Sequence, residues 1–313
     1  MWHTDPITVR TNEQMAEAKT GDAASYLAAL RGKSRSHDAP LPDIEGLDEL
    51  TIDGPGGEMP LLLVRPKSVR GVLMYVHGGG FVGGTERGLK FLRGGSNAGK
   101  FEYVTQLAAR LQIAIVSVGY RLAPEHPFPA GVEDCEAAAL CLGRHAESEL
   151  GSSNFALAAQ SAGCNLAVAA MVRLRDKHGM RPFKGMVLAN GIYDLRLTPS
   201  TRAWASTSGR LPVPLETIDQ CRRWYAPAGN FDDPEVSPLF ADLSGLSPAL
   251  FLTGTREPFL DDNLFMEARW RAAGGETELM VCPEGSHEFP GQDTPDGELA
   301  RATINRFISR VLQ

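Results

Sequence analysis

The sequence predicts an α/β fold, a mostly parallel sheet with helices on both faces. Continuous apolar runs recur from Val72 onward, each too short for a helix and bounded by Gly, Pro or polar residues. Longer stretches with apolar residues at helical spacing lie between them. Strands that are apolar throughout, rather than alternating, are those buried on both faces, and regular alternation with helices means parallel crossovers.

The elements follow in order. Residues 12–31 place Met15, Ala18, Tyr26, Leu27 and Leu30 at helical spacing, and the polar run from Gly32 to Asp38 with Pro40 and Pro42 ends that helix. Leu47–Ile52 and Met59–Val64 read as two strands joined by Asp53-Gly54-Pro55-Gly56-Gly57, a loop-connected hairpin. Strands are then expected at Val72–Val76, Ile113–Val118, Phe155–Ala159, Met186–Ala189, Ala249–Thr253 and Glu278–Val281. Helices are expected at Tyr103–Leu111, Val132–His145, Ala162–Lys177, Leu215–Tyr225, Asn263–Ala273 and Gly297–Leu312. The interval from about Tyr193 to Leu246 holds no clear strand but carries Trp204, Trp224, Tyr225, Phe231 and Phe240. It fits a long crossover packed by its own aromatics, or a lid over a pocket, since long insertions in such folds usually sit over the site. The expected organisation is a single domain over 1–313 with cap elements from about 1–45 and 193–246.

Composition narrows the function. A chain of 313 residues can bury one large core. A net charge of −7 and the lack of a long Lys/Arg block argue against a nucleic-acid binder. No apolar run reaches the roughly 20 residues of a spanning helix, and the N-terminus lacks a basic segment followed by an apolar core, so a cytoplasmic, non-membrane protein is expected. Cys135, Cys141, Cys164, Cys221 and Cys282 have no CxxC spacing and read as reduced cysteines. The histidines have no HExxH-like spacing, so neither metal nor cofactor is expected.

Four stretches carry chemistry. His77-Gly78-Gly79-Gly80 closes an apolar run, and its glycines leave bare backbone N–H groups able to stabilise an oxyanion in acyl transfer. Phe155–Ala159 runs into Gln160-Ser161-Ala162-Gly163-Cys164 and then an Ala-rich helix. A serine between strand and helix, flanked by tiny residues, fits a nucleophile elbow, with the Ala162 N–H aimed at the same spot; the pattern also fits a helix N-cap. The usual first glycine of that elbow is Ala159 here. His287, in the Gly/Pro-containing segment Val281–Phe289, is the candidate base. Glu257, the first carboxylate after the preceding strand, is favoured as the acid that holds its Nδ1–H. Asp261 is the rival, with capping of the helix near Asn263 as its other role.

Together with Gly119-Tyr120-Arg121-Leu122-Ala123-Pro124-Glu125-His126-Pro127-Phe128-Pro129-Ala130, these residues resemble the hormone-sensitive-lipase-like branch of the α/β-hydrolases, bacterial carboxylesterases above all. The resemblance covers roughly residues 70–310. It implies the α/β-hydrolase fold with a helical cap, oxyanion donors at Gly79, Gly80 and Ala162, a structural role for His77, and Arg121 with Glu125 in a buried or semi-buried network. It also implies a short-chain ester substrate and a homodimer through the last strand or helix. This chain departs from the usual Gly-Asp-Ser-Ala-Gly-Gly at Ala159, Gln160 and Cys164, and has Glu257 where Asp is commoner. The expected activity is a serine carboxylesterase acting through an acyl-enzyme. An amide, lactone or acetylated natural product as substrate remains open, as does a ligand-binding module without catalysis. Trp204, Trp224 and Tyr225 fit a pocket lining or a core equally well.

Overall fold

The computed structural model describes residues 27, 28, 31, 40–89, 92, 99–204 and 214–313. Of the expected helix over 12–31, only Leu27, Ala28 and Arg31 fall among them, and these three are helical. The rest of that helix and most of the 1–45 segment lie outside the described residues.

One eight-stranded sheet organises the chain: β1 (Leu47–Gly54), β2 (Gly57–Val64), β3 (Gly71–Val76), β4 (Ile113–Val118), β5 (Phe155–Gln160), β6 (Phe183–Ala189), β7 (Ala249–Arg256) and β8 (Thr277–Ser286). The helices are α1 (Lys100–Leu111), α2 (Ala130–Leu150), α3 (Ala162–His178), α4 (Pro199–Ala203), α5 (Leu215–Tyr225), α6 (Leu260–Ala272) and α7 (Pro295–Val311). The α/β expectation holds. The order across the sheet is β1-β2-β4-β3-β5-β6-β7-β8, with β1–β2 and β2–β4 antiparallel and every other pair parallel.

The uniformly apolar strands are the central ones, as burial on both faces requires: β3, β4 and β5 are buried at every position. Odd and even positions feed different cores. Leu73, Tyr75, Ile113, Ile115 and Val187 pack with α1 and α7 on one face. Val72, Met74, Val76, Leu157 and Leu188 pack with α2, α3 and α6 on the other, where Ile218, Cys221 and Tyr225 of α5 join them.

Chain direction across the sheet reverses at β3, whose neighbours are β4 on one side and β5 on the other. A crevice opens at the carboxyl end of such a strand, because the following connections leave in opposite directions. His77-Gly78-Gly79-Gly80 stands at that end.

Several boundaries move. The hairpin turn tightens to Pro55-Gly56, with Gly54 paired to Gly57. The last helix begins at Pro295 rather than Gly297, because Thr294 caps it, accepting from the Gly297 N–H at 3.1 Å, with Pro295 at the first helical position. β7 runs on to Arg256 and β8 to Ser286, past the expected Thr253 and Val281, through a bulge that pairs Arg256 with Ser286. Pro283 is tolerated inside β8 because β8 is an edge strand. Between β6 and β7 no described residue is in a strand, in line with the sequence; α4 and α5 occupy that interval. All five cysteines are free.

Candidate active site

The bulge that lengthens β7 and β8 places Glu257 and His287 each directly after a strand end. Across the sheet Ser161 follows the last residue of β5. These three side chains, far apart in sequence, form one hydrogen-bonded line. His287 Nε2 lies 3.0 Å from Ser161 Oγ, and His287 Nδ1 lies 2.7 Å from Glu257 Oε2. All three are buried, Glu257 to 2% exposure. The ring of Phe259 meets His287 edge-on, with centroids 5.3 Å apart.

Ser161 sits at φ 53°, ψ −124°, a backbone conformation uncommon for a residue with a side chain. What holds it there is local. Its N–H donates to the Ala189 carbonyl of β6 at 2.9 Å, and its own carbonyl accepts from the Cys164 N–H at 2.9 Å. Gly163 is required by close approach: a Cβ there would stand 2.4 Å from the carbonyl oxygens of both Val76 and His77. The start of α3 therefore touches the end of β3. Ala159, two residues before the serine, is fully buried in the core shared with Val76 and Leu188, so its methyl is accommodated by packing. Gln160 is buried as well, and its Oε1 has no hydrogen-bond partner among the described residues.

The glycine-rich loop faces this elbow. A Cβ on Gly78 would lie 3.0 Å from the Cβ of Ser161. Gly79 adopts φ +132° and folds the chain back so that its carbonyl accepts from Val82 and Gly83; a Cβ there would stand 2.0 Å from the Gly83 oxygen. Among the described residues, the N–H groups of Gly79, Gly80 and Ala162 take part in no hydrogen bond.

Support for the loop comes from two directions. His77 is buried and stacks on Tyr120 at 4.1 Å, while the Tyr120 hydroxyl donates to the His77 carbonyl at 2.8 Å. The Ala123 N–H donates to the Phe81 carbonyl at 3.0 Å. On the other side α5 closes in. Tyr225 stacks on Phe81 at 4.0 Å, its carbonyl accepts from the Phe128 N–H at 2.8 Å, and Cys221 Sγ lies 3.2 Å from where a Cβ on Gly80 would be. Burial pushes the Cys221 thiol up to about 12, so it stays a neutral wall. Tyr225 is therefore a buried buttress of the loop.

Two expectations need correction. Arg121 and Glu125 do not share a network. Arg121 forks onto Asp134 of α2, with Nε to Oδ2 and Nη2 to Oδ1 both at 2.9 Å, whereas Glu125 is half exposed and pairs with Arg31. The hydrogen-bonded Arg31 guanidinium holds the Glu125 carboxyl down at about 2. The same Arg31 donates to the Val82 and Ala123 carbonyls, which brings residue 31 against the end of the glycine-rich loop. Asp261, in turn, caps a different helix from the one expected. α6 starts at Leu260 after Phe259, and the Asp261 carboxylate accepts from the Ser200 N–H of α4 at 2.7 Å.

Next to it, Asp262 fastens the start of the interval between β6 and β7. Its carboxylate accepts from the Tyr193 and Asp194 N–H groups at 2.7 and 2.8 Å and from the Thr198 hydroxyl at 2.7 Å. Burial outweighs these donors and, with the charge of Asp194, pushes the Asp262 carboxyl up to about 7. An acid whose folded value is raised gives stability that is full below its unfolded value of about 4 and is lost as pH rises through the folded value. Asp262→Asn keeps the acceptor for the two backbone donors and removes the titration. The melting temperature of the variant relative to the native protein should therefore increase between pH 5 and pH 8, as read by scanning fluorimetry; a constant difference would place the carboxyl's titration elsewhere.

Sequence reasoning missed Thr253, whose Oγ1 lies 2.6 Å from Glu257 Oε1, and the contact of α5 with Gly80. Nothing in the spacing marks Thr253, since only the bulged end of β7 turns residue 257 back toward it. Tyr120 falls within the 119–130 stretch, but its partner His77 is 43 residues away.

Comparison with known proteins agrees with this geometry. A family model described as the alpha/beta hydrolase fold matches residues 73–291. The chain is 32% identical over 280 residues to the carboxylic ester hydrolase LipN of Mycobacterium tuberculosis, covering 86% of this chain and 71% of that one. It is 32% identical over 291 residues to the carboxylesterase NlhH of the same organism, covering 86% and 84%. A solved hormone-sensitive lipase from a metagenome library superposes with a TM-score of 0.80 at 27% identity, covering 99% of each chain. With the glycine loop at the sheet's reversal point, the serine at a strand-to-helix elbow and these relatives, the chain belongs to the α/β-hydrolase family, on its hormone-sensitive-lipase-like branch.

Proposed function

We propose that this chain is a serine carboxylesterase that hydrolyses short-chain acyl esters through an acyl-enzyme. The observation that carries the reading is the hydrogen-bonded line from Ser161 through His287 to Glu257. Ser161 Oγ attacks the ester carbonyl as His287 Nε2 takes its proton. Glu257 holds the Nδ1–H, so the imidazole presents the correct nitrogen and its positive charge is compensated. The tetrahedral oxyanion is met by the N–H groups of Gly79, Gly80 and Ala162, which no described residue engages. His287 then gives its proton to the leaving alcohol, and the return cycle activates water against the acyl-Ser161 ester.

Short acyl groups are supported by the wall beside Gly80: Cys221 and the Tyr225–Phe81 stack bring α5 close to the oxyanion loop. We read α5 with the other described residues of 193–246 as a cap on this side of the site. No helix among the described residues is long and apolar enough to cross a membrane.

The test is a panel of p-nitrophenyl esters of increasing chain length beside matched anilides and lactones. Turnover greatest on acetate or butyrate esters is expected. Preference for an anilide or lactone would reassign the substrate, and no turnover with any substrate would favour a binding module.

A further inference from the structure

We propose that Thr253 is a positioning residue for the catalytic acid, its hydroxyl fixing the second oxygen of Glu257 so that the first stays aimed at His287. This rests on the acyl-transfer assignment above. Glu257 Oε2 lies 2.7 Å from His287 Nδ1, and Oε1 lies 2.6 Å from Thr253 Oγ1. The threonine hydroxyl has one proton to give. Its other acceptor in reach is the Gly254 carbonyl at 3.5 Å, so the proton goes to the carboxylate.

Burial makes this donor matter. The Glu257 side chain has no exposed surface and Thr253 is fully buried, so water does not substitute for a missing bond. Among the described residues, His287 and Thr253 are the two hydrogen-bond donors to this carboxylate. A carboxylate removed from water needs its oxygens bonded. Glutamate also has one more rotatable bond than aspartate, and its terminal torsion is broad. With His287 as the only donor, the carboxylate could turn about that torsion; a donor on each oxygen locks it. Four residues along a straight strand would stand roughly 13 Å apart. The bulge at the end of β7, the bend at Glu257 and the turn at Pro258-Phe259 bring them together instead. The longer acid and the threonine therefore work as a pair.

The experiment is a double-mutant cycle on p-nitrophenyl acetate hydrolysis, with Thr253→Val and Thr253→Ser made in the native protein and in Glu257→Ala. Loss of a hydrogen bond to a buried charge should lower kcat about 10- to 100-fold in Thr253→Val, with KM unchanged. Thr253→Ser keeps the hydroxyl and should restore most of it. In the Glu257→Ala background the valine should cost nothing further, since the group it positions is gone. Should the valine protein not fold, Thr253→Ala adds no atoms and completes the same cycle. Equal losses for valine and serine, or the same loss in both backgrounds, would reduce Thr253 to a packing residue. Failure of the underlying assignment looks different: Glu257→Ala alone would then turn over at the native rate.

Discussion

Ser161→Ala should lower turnover of a short-chain p-nitrophenyl ester by about 10⁴- to 10⁶-fold while leaving the fold intact. The chemical half follows from the line of hydrogen bonds, since in the proposed mechanism no acyl-enzyme forms without the Oγ that hydrogen-bonds to His287. The structural half follows from the elbow. Its positive φ is imposed by the Ser161 N–H to Ala189 bond and by the contact of Gly163 with the end of β3, and alanine keeps both the N–H and the Cβ. The melting temperature should match that of the native protein, and labelling by a fluorophosphonate should vanish with the rate. A variant that keeps its turnover would mean that another group is the nucleophile. One that loses the rate together with its melting transition would mean that the hydroxyl matters to folding.

The largest loss of stability is expected far from the serine, at Asp134→Ala. The Asp134 carboxylate is buried and meets three donors of Arg121: its backbone N–H at 2.8 Å, Nε, which reaches both oxygens, and Nη2. The guanidinium lies beneath the β1–β2 turn, 2.5 Å from where a Cβ on Gly56 would be. Removing the carboxylate leaves it, among the described residues, with only Glu133 Oε2 at 3.3 Å and the Ala130 carbonyl at 3.2 Å. Losing charge-assisted hydrogen bonds to a buried carboxylate costs about 1.5–3 kcal/mol, and Glu133 still faces the charge left behind. Urea unfolding should show that loss, with Asp134→Asn between the two because it keeps one acceptor. The rate should fall too, since Tyr120 and Ala123 on either side of Arg121 hold the His77 and Phe81 carbonyls. A neutral Asp134→Ala would show that the pair contributes no net stability.

What the sequence made legible were features set by local pattern. Apolar runs against helical periodicity placed every central strand, because burial on both faces leaves no polar position to confuse the pattern. Ser161, Glu257 and His287 stood out because small residues, strand ends and chain order are all visible in one dimension. Partnerships made across the fold were not. The resemblance pairs Arg121 with Glu125, four residues along, whereas its partners are Asp134 and Glu133 on the next helix. Asp261 was given its own helix to cap, yet it serves α4, 61 residues earlier. Thr253 and Glu257 meet only through a bulge that pairing between β7 and β8 creates, and no propensity scale registers that. The departures at Ala159 and Gln160 proved to be buried positions, where neighbours decide what is allowed.

The attachment of α5 to the glycine loop has a consequence for heat inactivation. Tyr225 against Phe81 and Cys221 against Gly80 mean that this helix cannot peel away without releasing the glycine backbone proposed to receive the oxyanion. Helices held by a few side-chain contacts loosen before a packed sheet does. Activity is therefore the sensitive thermometer of this molecule: the rate should fail at a temperature where the eight strands still stand.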